Sequence, residues 1–547
     1  MKPHNAEKTC WNCPAAILKG NVDFRACGQS VEAIRKRVER EGILIECARQ
    51  PDLGRFEPTI TFEECPQWRL TEYGYMLENM RVMILGIDGY LGWTLALKLG
   101  RLGCEVSGVD NFLRRRCVKE KGSMSIVPIA SMEERLEAAR EVLGIDINFR
   151  EIDILDREKL GRFMKEVKPE AIIHYGEIPS APYSMVDCDH AIKVQYNNVI
   201  GTLGLLFLMK EIVPESCLIK LGTLGEYGSP LTGRPLFEGL FPADAVLIWG
   251  GREWSLGGEV TPRDPLSFYH VSKVQDTFNI YEACKYWWLR SYDIMQGVIY
   301  GVHTDEVAAD PRLRTRLDVD EWFGTVVNRF VAQAILGMPL TVYGEGQQIR
   351  GFIALEDAME CMTRLTSSPP EPGQYDVVNQ VSGLHKLIDL AETVARVASE
   401  KFDIPVKIQR VENPRVEADV HPYEVVSEKL PNTFGFRPKV TLEKEITRMF
   451  ELLTQPEIKE RLKRVAHLIR PSTWWSGEKR VAETIEVYTP GTKRVGGFQP
   501  VLITKREAIV PVSKPVEELE EPIQVLAKDD PPKKKTAKKV SKRNGAH

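Results

Sequence analysis

No uninterrupted apolar stretch in this 547-residue chain approaches the roughly 20 residues needed to cross a bilayer. The opening MKPHNAEKTC lacks the apolar core of a secretory signal, so the expected compartment is the cytoplasm and no membrane span is expected. Charge of neither sign dominates: the net value of −4 makes no case for a nucleic-acid partner. Eleven cysteines at irregular spacing do not suggest a secreted disulfide framework in a chain this long. No internal repeat is visible. The 43% hydrophobic and 27% charged content is ordinary for globular protein, and the length predicts two or more domains.

Four regions follow from composition and pattern. Residues 1–78 form an extension holding Cys10, Cys13, Cys27, Cys47 and Cys65. In 79–300 the apolar runs MRVMILG, EVSGVD, INFREID, AIIHYG, SCLIKLG and SYDIMQGVIYG alternate with amphipathic stretches. That alternation predicts βαβ units and a Rossmann-like, doubly wound parallel sheet in the α/β class. Residues 301–475, with helical stretches near 321–336 and 383–400 and a short apolar run at Leu340 to Tyr343, predict a smaller α/β substrate domain against the strand C-terminal edge. Residues 476–547 carry Pro, Lys and Glu clusters, the composition of a charged, disordered tail.

Gly86, Gly89 and Gly92 follow the run Val82 to Leu85 and open a helix with Leu91, Leu95, Leu99 and Leu102 at helical spacing. Glycine permits the tight turn and lets a pyrophosphate approach the backbone N–H groups at the helix start. Asp110 ends the next strand, where a carboxylate accepts both ribose hydroxyls of NAD and repels a 2′-phosphate. Arg114, Arg115 and Arg116 would instead welcome that phosphate; the acid at the strand end favours NAD.

Tyr269 and Lys273 stand one helical turn apart in SFYHVSK. A phenol of unperturbed pKa about 10 works as a base near neutrality only if a neighbouring ammonium and the oxidised nicotinamide stabilise its anion. Thr223, at the end of SCLIKLGT, puts a hydroxyl near that pair, suited to relay a proton, and Glu226 follows on the same loop. In the extension, Cys10 and Cys13 have the spacing of half a structural zinc site; two of Cys27, Cys47 and Cys65 would complete it, the alternative being buried or redox-labile thiols.

The glycine turn, AIIHYGE, NNVIGT, KLGT-x-GEYG, SFYH-x-SK, QGVIYG, LTVYG-x-G-x-Q-x-RG and NPRVEA, in this order, resemble the extended short-chain dehydrogenase/reductase superfamily. SAPYSM at 180–185 and RLDVDEWFGTVVNRF at 316–330 narrow the likeness to the UDP-sulfoquinovose synthase family, over about 80–475. The resemblance implies UDP-glucose and sulfite as substrates, recycled NAD, 4-keto and 4-keto-5,6-ene intermediates, and a homodimer. It makes Thr223, Tyr269, Lys273 and Glu226 catalytic. For the cofactor it points to Gly86, Asp88, Gly89, Tyr90, Gly92, Asp110, Asn111, Arg114, Asp153, Ile154, Asn197, Lys273 and Val298. For the sugar nucleotide it points to Thr223, Tyr269, Gln296, Thr325, Asn328, Leu340, Thr341, Val342, Arg350, Arg415 and Glu417; a guanidinium fork suits the diphosphate. Two departures stand out. Plant-type members read GEQR before SAPYSM, whereas GEIP here puts Pro179 in place of an arginine. Sugar 4,6-dehydratases carry Asp-Glu directly after the threonine, whereas Leu224 and Gly225 follow Thr223 and displace Glu226 by one position. The other readings are a UDP-sugar 4-epimerase or 4,6-dehydratase and, from a different class, a noncatalytic NAD-binding scaffold.

Overall fold

Val82, Met83, Ile84 and Leu85 are all fully buried, as expected of a parallel strand covered by helices on both faces. They belong to β1 (Arg81–Leu85), the centre of the main sheet in a computed structural model. The structure describes residues 77–228, 233–413, 423–472 and 483–491, with the backbone of three short strands, Ala16–Leu18, Ile45–Cys47 and Arg55–Phe56. Cys10, Cys13 and the tail beyond residue 491 lie outside the described residues, and the zinc expectation with them; within the 476–547 span expected to be disordered, Thr484–Tyr488 is instead a strand paired with Ile408–Val411.

The other expected runs form β2 (Glu105–Asp110), β3 (Ile147–Glu151), β4 (Ala171–His174), β5 (Cys217–Leu221) and β6 (Arg290–Gln296). A seventh strand, β7 (Tyr375–Gln380), completes the order β7-β6-β5-β4-β1-β2-β3, parallel throughout. The order reverses between β1 and β4, and the crevice at such a switch point is where ligands bind in doubly wound sheets. Helix α1 (Tyr90–Arg101) crosses from β1 to β2 and buries Leu95, Leu97 and Leu99.

Four local expectations need correction. The sheet does not end at residue 300, because β7 comes from the second half of the chain and pairs along β6 from Ser291 to Gln296. The run SYDIMQGVIYG is two strands, β6 and Val298–Tyr300, in different sheets. Gly297 divides them where the chain crosses so closely that a Cβ would meet the Gly351 carbonyl oxygen at 2.8 Å. The helix expected from 321 begins only at Val326, because a tight turn comes first in which Asp320 accepts the N–H groups of Trp322 (2.9 Å) and Phe323 (2.8 Å). Likewise Gly383–Lys386 is a strand, with the helix running Leu387–Phe402.

The smaller region packs helices Val326–Ile335, Leu387–Phe402 and Leu442–Leu453 around a separate core that includes Phe330, Val394 and Phe450. Among the described residues no helix is long and apolar enough to cross a membrane.

Candidate active site

A cavity of about 700 Å³ opens along the C-terminal edge of β1, β4, β5 and β6. Its glycine wall has no room for side chains. Gly86 has φ +82°, and a Cβ there would lie 2.6 Å from the Tyr175 carbonyl group. A Cβ on Gly92 would lie 2.2 Å from the Gly86 carbonyl oxygen. Gly89 caps α1 without a side chain, so backbone alone forms the helix start. This is a cradle shaped for a diphosphate.

Asp110, at the end of β2, accepts N–H groups from Asp88 (2.9 Å) and Phe112 (2.6 Å). Burial, then repulsion from Asp88, pushes its carboxyl up to about 6. The three following arginines are already engaged. Arg115 pairs with Asp88 at 2.5 Å, Arg116 donates to the Asn111 carbonyl, and Arg114 pairs with Asp318 at 2.8 Å while lying over the Phe323 ring. Tyr90, Asn111, Arg114 and Ile154 share the cavity wall with Asp110. So does Asn197, which sits in a π-turn, Tyr196–Ile200, inside the helical stretch from Cys188 to Ile212. The extra residue of a π-turn shifts the facing of the side chains after it, and here Asn197 and Asn198 are both buried, Asn198 accepting the Ile178 N–H at 2.9 Å.

At the other end stand Thr223, Tyr269 and Lys273. Helix α2 (Phe268–Trp287) starts at Ser267, whose side chain caps it, and so presents Tyr269 in its first turn. Lys273 Nζ lies 5.9 Å from the centre of the Tyr269 ring. Burial, then the charge of Glu177, holds the Tyr269 phenol well above its ordinary value. Thr223 lies two residues past β5 and caps the turn after it, accepting the Gly225 N–H at 3.2 Å. Gln296, Val298, Thr325 and Arg350 line the same space, the Arg350 guanidinium 5.7 Å from the Tyr423 ring.

Several expected residues are not on this wall. Asp88 turns to Arg115 and Arg135, the latter fully buried. Asp153 accepts from Asn111 (2.7 Å) and from the Leu155 N–H (2.8 Å). Asn328 accepts the Gly301 N–H at 3.1 Å. Leu340 and Val342 are core residues of the smaller region, and Thr341 bonds Gln333; only Tyr343 of that strand reaches the cavity. Glu226, expected among the catalytic residues, is not on the wall either: it is fully buried, its carboxylate 3.6 Å from Lys220 Nζ and accepting the Thr277 hydroxyl. The one-residue displacement from the dehydratase pattern turns it inward, where burial first and Asp293 after it keep the carboxyl raised. Arg415 and Glu417 lie outside the described residues.

Conversely, Glu177, His270, Arg316 and Phe323 line the cavity without having been singled out. Glu177 lies three residues past the end of β4, and an acid just past a parallel strand's C-terminal end is a signal the sequence does carry.

Residues 82–244 match the NAD dependent epimerase/dehydratase family. The UDP-sulfoquinovose synthase of Sulfolobus acidocaldarius is 42% identical over 396 residues, 72% of this chain and 98% of that protein. The chloroplastic UDP-sulfoquinovose synthase of Spinacia oleracea is 41% identical over 358 residues, 65% of this chain and 72% of that protein. Among solved structures, an epimerase of Methanothermobacter thermautotrophicus, Mth375, superposes with a TM-score of 0.53 at 18% identity, covering 73% of this chain and 99% of its own.

Proposed function

The chain belongs to the UDP-sulfoquinovose synthase family, and we propose that its cavity converts UDP-glucose to UDP-sulfoquinovose with sulfite as the sulfur donor. The observation that carries the reading is the joining, in one cavity, of a side-chain-free glycine cradle and Asp110 at one end with Thr223, Tyr269 and Lys273 at the other. Bound NAD supplies a hydride acceptor, and later donor, for C4 of the sugar.

Tyr269 takes the proton of the 4-hydroxyl in this reading. Its phenolate is costly in the buried site, so it forms only beside the Lys273 ammonium and a cationic nicotinamide. Thr223 hydrogen-bonds the same sugar oxygen. The 4-ketone acidifies C5–H, water is lost across C5 and C6, and sulfite adds to C6 of the resulting enone. Sulfite and UDP-glucose thus become UDP-sulfoquinovose and water. Arg350 and Gln296 contact the sugar nucleotide, with Thr325 beside them; Arg415 and Glu417 remain assigned by resemblance. Pro179 lines the cavity and brings no charge to it. The mass of the product formed from UDP-glucose and sulfite decides between this reading and an isomerase.

Asp110 binds the adenosine ribose hydroxyls as a carboxylate. Because the group titrates near 6 in the free site, NAD retention should weaken as pH falls through that value. Each further unit of acidity should cost up to about tenfold in affinity. Dinucleotide retained after dialysis at a series of pH values checks this; retention unchanged well below pH 6 would remove Asp110 from the role.

We also propose a homodimer. Ile192, Tyr196, Ile200 and Phe207 are exposed along one helical stretch, with Phe278 and Tyr286 exposed on α2 beside it. Apolar side chains at this spacing on two adjacent helices suit burial against a second copy. Ile192→Glu with Tyr196→Glu should yield monomers in sedimentation, and a dimer that survives both changes would place the contact elsewhere. The cytoplasm is the compartment we propose, in keeping with charged, membrane-impermeant substrates.

A further inference from the structure

Behind the reactive pair lies a group of buried charges that the reaction so far leaves unused. The Lys273 ammonium meets the Glu177 carboxylate, and the two side chains are 3% and 2% exposed. His174 Nε2 stands 3.7 Å from the same carboxylate. Deeper, Lys220 lies 3.3 Å from Asp293 and 3.6 Å from Glu226. Asp276, one turn beyond Lys273, is fully buried.

Tyr269 and Lys273 are therefore faced by His174 and Glu177 from β4 and its exit, Lys220 from β5, Glu226 from the turn after it, Asp276 from α2 and Asp293 from β6. With Arg263 4.0 Å from Glu226, four carboxyls stand against two ammoniums and one guanidinium, and they cannot all stay charged in a dry interior. Burial, then Glu177, pushes Asp276 up towards its neutral form, and Glu226 is also raised. Burial opposes ionisation of Glu177 as well, but Lys273, His174 and Lys220 outweigh it and hold that carboxyl low. Of the four acids, Glu177 is the one that lines the cavity.

We propose that Glu177 is a positioning residue whose carboxylate fixes Lys273 beneath Tyr269 and whose charge governs how readily Tyr269 loses its proton. This rests on the catalytic role proposed above for Tyr269 and Lys273.

The test uses the full chain with UDP-glucose and sulfite, recording turnover against pH and the NAD released on denaturation. In Glu177→Gln, loss of the nearby negative charge should move the acid-side limb of kcat down by about one pH unit. The plateau should fall by about tenfold as Lys273 loses its ionic anchor and keeps only the Leu221 carbonyl, with NAD content near that of the unaltered protein. Glu177→Asp keeps the charge but withdraws it by one methylene, so its limb should stay in place while its plateau falls. A Glu177→Gln limb coincident with that of the unaltered protein would overturn the proposal. Should that variant not fold, Glu177→Asp carries the test, and an unchanged plateau there would overturn it equally. An unaltered protein that fails to turn over UDP-glucose would instead sink the reading on which the proposal rests.

Discussion

Tyr269→Phe should leave the protein folded and loaded with NAD while cutting turnover of UDP-glucose by about 10² to 10⁴. The change removes one oxygen and keeps the ring, which packs against the buried cluster that includes Tyr183, Trp322 and Phe323 and lies 5.1 Å from the His270 ring. The backbone N–H of residue 269 keeps its bond to Ser184 Oγ at 3.0 Å. What disappears is the proton acceptor at O4, without which hydride cannot leave C4 at a useful rate. Thr223 does not replace it, because an isolated hydroxyl is a far weaker acceptor than a phenolate held by an ammonium. Rapid mixing with UDP-glucose, followed by NADH absorbance, separates this loss from a binding defect. Retention of normal activity would show that another group takes the proton.

The second large effect is expected at the cradle. In Gly92→Ala the new methyl would sit 2.2 Å from the Gly86 carbonyl oxygen and 2.9 Å from the Ile87 Cα, both backbone atoms with no rotamer to yield. The start of α1 must move off β1, and overpacking of this kind costs about 1–3 kcal/mol. Charged to the bound state, that is roughly a 5- to 150-fold loss in NAD affinity, since each 1.4 kcal/mol is tenfold. NAD released on denaturation should fall sharply and the melting temperature should drop. A variant that retained NAD as the unaltered protein does would show that the diphosphate binds elsewhere.

The residues most legible in the sequence were those whose role depends on local geometry. The glycine turn, Asp110 at a strand end and the Tyr269–Lys273 spacing each need only one turn or one helix to be recognised, and all line the cavity. Contributions made across the chain were not legible. β7 joins the sheet from 75 or more residues beyond the expected domain boundary, and nothing in YDVVNQ distinguishes it from a strand of the smaller region. Leu340 and Val342 were expected at the sugar nucleotide, but both pack into the core of the smaller region. Glu226, expected to be catalytic, is buried beside Lys220, while Glu177, which had not been singled out, reaches the cavity after the exit from β4. A charge on a loop does not reveal which way it faces until its partners are known.

The central claim is that the chain breaks C5–H and makes a carbon–sulfur bond at C6. Mass and NMR analysis of the product from UDP-glucose and sulfite in D2O tests it most directly. An epimerase transfers hydride at C4 alone and never ionises C5. The expected product is a UDP-sugar bearing a sulfonate on C6 and deuterium at C5, with the enzyme's NAD returned to the oxidised form. UDP-galactose free of deuterium as the sole product would contradict it.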